Sequence, residues 1–183
     1  WTGLRTSELV ALEWGDIDWL DNRMKISRAI TQAAKAPETT KTKAGTRLVK
    51  LLPPALEALK RQKEFTFLNG DRVFHNPRTD KPWTGDQPIR KTVWNPALKR
   101  AGVRHRKAYQ TRHTYASMML SAGEPLAWVS SQMGHANVIV TANTYARWIP
   151  DSMPDAGNRA IKMFTTDNAN KENLNEQNTK KNN

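Results

Sequence analysis

The sequence predicts a mainly α protein with a small antiparallel β-sheet, an α+β class. Six segments carry apolar residues at helical spacing, and a pair of alternating segments lies between residues 23 and 51. Gly, Pro and Asn-Gly punctuation separates short elements throughout.

The first predicted helix runs from Thr6 to Trp14, where Leu9, Val10 and Leu12 lie among good helix formers and Gly15-Asp16 ends the run. Arg23 to Ile30 roughly alternates, and Arg47 to Leu51 follows Ala44-Gly45, so the two are expected to pair antiparallel across a long lysine-bearing loop, Thr31 to Thr46. Pro53-Pro54 opens a helix with Leu56 and Leu59 on its buried face, because a first turn needs no amide donor. Asn69-Gly70, Asn76-Pro77 and Asp80-Lys81-Pro82 read as turns. Ile89, Val93 and Leu98 form a helical stripe within Trp83 to Arg100 despite Pro96. Three short helices are expected after it, Thr111 to Ser121, Leu126 to Met133 and Val138 to Arg147, separated by Gly123-Glu124-Pro125 and Gly134-His135.

The chain has 183 residues, 38% of them apolar with seven Trp, which suits one core. Residues 1–164 are expected to form that domain, and 165–183, with seven Asn in the last sixteen positions, a disordered polar tail. Trp at position 1 suggests a chain that has lost residues upstream. The formal net charge is +12, and the three lysines of the tail are offset by three carboxylates, so the surplus belongs to the folded part. Nucleic acid is the first partner such a surplus suggests. There is no cysteine, which excludes disulfides, thiolate zinc sites and Cys nucleophiles. His75, His105, His113 and His135 show no metal-type pair spacing, so no metal or other cofactor is expected. No apolar run approaches the roughly 20 residues of a membrane span.

Two arginines stand in unusual settings, Arg5 before an apolar helix and Arg112 inside Tyr109-Gln-Thr-Arg-His-Thr-Tyr. A guanidinium fork matches two phosphate oxygens and stays charged, so two converging forks would hold one phosphodiester. Taken singly, each reads first as a surface ion-pairing residue. His135 sits at a loop-to-helix junction and Tyr145 near the end of the next helix. A lone phenol is a poor nucleophile at neutral pH unless cations assist it.

The segments Thr2-Gly-Leu-Arg5-Thr-Ser-Glu8-Leu, Tyr109-Gln-Thr-Arg112-His113-Thr-Tyr-Ala, Met133-Gly-His135 and Thr144-Tyr145 together resemble the ordered signature of tyrosine recombinases, close to phage integrases, over about residues 1 to 150. The resemblance implies the tyrosine recombinase catalytic-domain fold shared by DNA breaking-rejoining enzymes, and site-specific recombination through a 3′-phosphotyrosyl link. By that resemblance Arg5 and Arg112 hold the scissile phosphate, His135 adds a hydrogen bond and Tyr145 attacks. Lys41 protonates the leaving oxygen, with Lys43 the alternative, and Glu8 helps to orient the site. Double-stranded DNA, a homotetramer on it with Trp148 to Phe164 packing on a neighbour, and a bacterial cytoplasmic, nucleoid-associated setting are also implied.

The family pattern has His three residues before its second arginine, where this chain has Tyr109. A phenol there can donate to phosphate but is a weak base. His113 is not expected to substitute, because one residue along a helix rotates a side chain by about 100° away from Arg112. His105, four residues before Tyr109, is a further candidate. Lys81, Arg90, Lys91, Lys99, Arg100, Arg104, Arg106 and Lys107 are candidates for a DNA-facing surface. Two rival readings remain: a type IB topoisomerase using the same intermediate, and a remnant that binds DNA without cutting it.

Overall fold

The computed structural model describes residues 1–31, 38–39, 45–150, 158 and 161. Lys41, Lys43 and residues 165–183 lie outside the described residues. The architecture below belongs to the unit formed by residues 1–149.

Helix α1 spans Thr6–Ala11, and Glu8 closes its first turn by accepting the Arg5 backbone N–H at 2.9 Å. The predicted extension to Trp14 does not form. Leu12 and Trp14 instead pair with a distant segment, through Val73 N–H to the Leu12 carbonyl at 3.0 Å and Trp14 N–H to the Asp71 carbonyl at 2.8 Å. A 3₁₀ turn, Trp14–Asp16, then leads into β1, Ile17–Asp18.

Strand β2, Arg23–Ile26, pairs antiparallel with β5, Arg47–Lys50, in the register Met24↔Val49, and β1 adds a third strand on the other edge of β2. The expected pairing is present, but Arg28–Ala29 leaves the sheet. As β3 it pairs with β4, Glu38–Thr39, so a second short ladder stands where a loop was expected. The divergence has a packing cause: Ile30 N–H donates to the Ser7 carbonyl at 2.9 Å, and Ile30 is buried with Val10, Ala11 and Trp83.

Alternation along β2 and β5 turns Met24, Ile26 and Val49 inward, where α2, Pro53–Thr66, covers them with Ala55 and Leu59. A hairpin of β6, His75–Asn76, and β7, Lys81–Pro82, follows. Helices α3, Asp86–Ile89, and α4, Asn95–Arg100, are joined by a π-helical turn, Arg90–Trp94. Pro96 lacks an N–H and its ring would press on the carbonyl four residues back, so a wider turn there relieves the conflict. The turn also shifts the helical register, which leaves Val93 exposed rather than on the expected stripe.

The last three helices are α5, Gln110–Ser121, α6, Leu126–Met133, and α7, Val138–Tyr145, with a 3₁₀ turn, Ala146–Trp148, after them. They share a core of Tyr115, Ala116, Met119, Leu120, Val129, Met133 and Tyr145. Gly134 ends α6 in the left-handed conformation, and the Asn137 side chain caps α7 by accepting from Val140 N–H at 3.1 Å. Gln132 joins this bundle to the sheet, its Oε1 accepting the Lys50 N–H at 2.8 Å. Among the described residues no helix is long and apolar enough to cross a membrane.

Gly3 has φ +64°, and a Cβ there would lie 2.5 Å from the Tyr115 ring. Both the conformation and the space therefore require glycine. Gly3→Ala is expected to cost about 2 kcal/mol or more, read as a lowered midpoint in urea denaturation.

Candidate active site

The site is built on the carbonyl end of α6. Three successive carbonyls there each receive a different arginine. Arg47 Nε donates to Gln132 at 2.8 Å, Arg112 Nη2 to Met133 at 2.6 Å and Arg5 Nη2 to Gly134 at 3.1 Å. A helix C-terminus carries partial negative charge and unpaired carbonyls, which makes it a natural seat for cations. Arg112 Nη1 also donates to the Gly3 carbonyl, so the glycine that precedes α1 anchors the same guanidinium. The Arg112 side chain is 1% exposed, and its buried Nε has no hydrogen-bond partner.

Glu8 is the counter-ion. It is 2% exposed and lies between Arg5 Nη1 at 2.7 Å and the two terminal nitrogens of Arg47 at 3.0 and 2.9 Å. Burial alone would raise its pKa, but the hydrogen bonds and charge of Arg47, with the bonds from Arg5, outweigh burial and hold the carboxyl below its usual range. Three guanidinium groups against one carboxylate leave a surplus of positive charge, suited to an anion such as a phosphodiester. Burial, followed by the nearby Arg5 charge, lowers the Arg112 pKa as well.

Arg5 is the exposed member and opens onto a cleft of about 420 Å³ that is also lined by Thr6, Ser7, Arg90, Lys107 and Tyr109. Two of the expected DNA-facing cations, Arg90 and Lys107, thus share a cleft with Arg5. Lys81, Lys91, Lys99, Arg100, Arg104 and Arg106 are exposed, and His105 is exposed in the segment before α5.

His135 follows Gly134 directly. Its Nδ1 is 2.7 Å from the hydroxyl of the buried Thr141. Burial, then the charges of Arg112, Arg5 and Arg47 in turn, push its pKa down to about 4. The imidazole is therefore neutral at neutral pH, able to give or take a hydrogen bond rather than a full charge.

Tyr145, 2% exposed, lies nearly parallel to His135, with ring centroids 6.5 Å apart at 10°. Its hydroxyl is 2.7 Å from His113 Nδ1. Burial raises the phenol pKa, against the lowering influence of the Arg112 charge. His113 was not expected at the site because its side chain rotates away from Arg112, yet it lies beside Tyr145. The rotation is real, but the site straddles α5: Arg112 faces the end of α6, while His113 faces the end of α7. Tyr109 packs edge-on against His113 at 5.2 Å and stands half exposed at the cleft.

Sequence reasoning missed Arg47, Gln132 and Thr141. A signal existed for Arg47, which shares strand parity with the inward Val49 and so places an arginine on the buried face.

The family model described as the phage integrase family matches residues 1–149. The chain belongs to the phage integrase family. Similar relatives of this integrase-family chain include the prophage integrase IntR of Escherichia coli strain K12, 37% identical over 82% of this chain and 42% of the relative. The putative defective protein IntQ of the same strain is 36% identical over 83% and 44%. The integrase of Salmonella phage P22 is 30% identical over 90% and 41%. The integrase-family chain thus spans less than half the length of these curated relatives. Among solved structures, the Tn1549 transposon integrase with circular intermediate DNA aligns at TM-score 0.65 and 19% identity, covering 89% of this chain and 56% of that one. The catalytic domain of bacteriophage HP1 integrase aligns at TM-score 0.53 and 20% identity, covering 85% and 73%. The fold is that of a tyrosine recombinase catalytic domain, as expected.

Two outcomes follow for this integrase-family site. Glu8→Ala leaves two guanidinium groups without their carboxylate and is expected to cost about 3 to 5 kcal/mol in urea denaturation. For His135 the unfolded imidazole takes its proton near 6.5 and the folded one near 4. Its contribution to stability is therefore complete above pH 6.5 and declines as pH falls towards 4. Denaturation midpoints measured across that window should fall less steeply in His135→Gln than in the unsubstituted chain.

Proposed function

We propose that this chain is the catalytic part of a site-specific DNA recombinase that cleaves and rejoins DNA through Tyr145. The observation that carries the reading is the gathering of Arg5, Arg47, Arg112 and His135 around the end of α6, with the Tyr145 ring beside His135. Family membership and the Tn1549 integrase, whose structure holds circular intermediate DNA, support duplex DNA as the substrate.

In this mechanism the phosphodiester takes its place among the guanidinium groups, with Arg5 the accessible fork and Arg112 fixed beneath it. Tyr145 attacks phosphorus in line with the 5′ oxygen. A 3′-phosphotyrosyl bond forms, and the 5′ alkoxide leaves with a proton from Lys41, or from Lys43 as the alternative. Charge gathering on the phosphorane oxygens is stabilised by donors already held in place by carbonyls and Glu8, so little reorganisation is needed at the moment of reaction. The covalent link conserves the ester energy, and a 5′ hydroxyl from another strand completes the exchange by the reverse step. Four copies on paired DNA sites would supply the strands.

A second reading, a remnant that binds DNA without cutting it, is favoured by Tyr109 in the place of His and by the burial of Tyr145. A nicked suicide duplex separates the two. The recombinase reading expects a denaturation-resistant protein–DNA adduct that Tyr145→Phe abolishes and that Arg5→Ala reduces by at least about 100-fold. Shifted DNA in a gel with no adduct from the unsubstituted chain would sink that reading.

Arg90 and Lys107 share the Arg5 cleft and should each neutralise about one phosphate. Alanine at either position is expected to reduce the slope of log affinity against log salt by about 0.9, measured by fluorescence anisotropy from 50 to 200 mM salt.

A further inference from the structure

We propose that His113 is the proton acceptor for Tyr145, filling the role that Tyr109 cannot. The inference rests on the reading of Tyr145 as nucleophile and adds a residue to that site. Its basis is geometric. The His113 Nδ1 lies 2.7 Å from the Tyr145 hydroxyl, a distance at which a proton passes between them without an intervening water. His135 Nδ1 is taken up by Thr141, which leaves that ring to serve the phosphate instead.

The surroundings of His113 fit the task. Tyr109, at the cap just before α5, holds its ring edge-on to His113 at 5.2 Å. From α7 and the turn beyond it, Tyr145 and Arg147 face the same side, and with Gln110, Thr114 and Ser117 they line a surface pocket of about 350 Å³. The pocket gives the imidazole a route for exchanging its proton with water. His135 and Tyr109 are further titratable rings near the phenol, Tyr109 opposing its ionisation, and the positive charge on Arg112 acts on both His135 and Tyr145.

The step balances in both directions. In cleavage the phenolic proton moves to Nδ1, the phenolate oxygen bonds to phosphorus and the bond from phosphorus to the 5′ oxygen breaks. In rejoining the incoming 5′ hydroxyl gives its proton back to the amine that supplied one in cleavage, its oxygen bonds to phosphorus, the bond from phosphorus to the phenolic oxygen breaks and Nδ1 returns its proton to the phenolate. His113 therefore acts on the nucleophile and not on the departing 5′ oxygen.

That distinction sets the test. The probe is a pool of nicked duplexes, randomised in sequence around the nick, in two forms: ordinary phosphodiester and a 5′-bridging phosphorothiolate, whose thiolate leaves without being protonated. Adduct formation by the full chain is followed on denaturing gels at several pH values. His113→Ala is expected to slow it by about 100- to 1,000-fold on both substrates and to remove the limb of the pH profile that reports the acceptor. Lys41→Ala, by contrast, should regain most of its rate on the phosphorothiolate. His113→Gln keeps a hydrogen-bond acceptor but cannot take the proton, so it should remain slow. A rate for His113→Gln within about threefold of the unsubstituted chain would overturn proton transfer, as would an unchanged pH profile in His113→Ala. Recovery of His113→Ala on the phosphorothiolate would overturn the assignment to the nucleophile. No adduct from the unsubstituted chain on either substrate would overturn the proposed function itself.

Discussion

The structure of the site depends on one constraint: the last carbonyls of α6 must be satisfied, and arginines satisfy them. A helix that ends in a left-handed glycine leaves its final oxygens facing outward. Here three of those oxygens, from Gln132 to Gly134, draw in guanidinium groups from α5, from β5 and from the residue before α1. Segments separated by more than a hundred residues thereby meet at one point. Glu8 keeps the assembly from repelling itself, because it touches both Arg5 and Arg47 while leaving the cluster positive overall.

The same cluster sets the chemistry of its neighbours. Burial and then the neighbouring positive charge keep His135 neutral, so it adds a fixed hydrogen-bonding group to the cluster and not another cation. Burial opposes ionisation of Tyr145 more than Arg112 favours it. The phenol thus rests protonated, and a partner able to accept its proton matters. Trp148 and the rings of His113 and Tyr115 pack the phenol in its buried seat.

Local signals were legible where they agreed with packing. Helix α6 begins and ends where Pro125 and Gly134 predict, because both residues dictate backbone conformation directly. The β2–β5 pairing followed from alternation, and Arg5, Glu8, Arg112 and His135, singled out in the sequence, lie close together. The end of α1 was not legible, since Leu12 and Trp14 are drawn out of helix by backbone partners near residue 72, which no local pattern encodes. The contact of His113 with Tyr145 was not legible for a related reason. Helical rotation says how two side chains diverge, but not whether other elements wait on both faces. Arg47 carried a readable clue in its strand parity, yet its partners Glu8 and Gln132 lie 39 and 85 residues away.

Arg47 has a mechanical consequence as well. Besides the bonds of Arg47 to Glu8 and Gln132, its Nη1 donates to the Gly45 carbonyl at 3.1 Å, so the chain at Gly45 is moored to the arginine cluster. Lys41 is four residues upstream of that mooring, a tether of at most about 14 Å even when fully stretched. In the mechanism proposed above, a leash of that length would bound how far the acid can stray from the cluster and so set its effective molarity. On that proposal, lengthening the leash by a few glycines would dilute the acid while leaving every proposed reacting group in place.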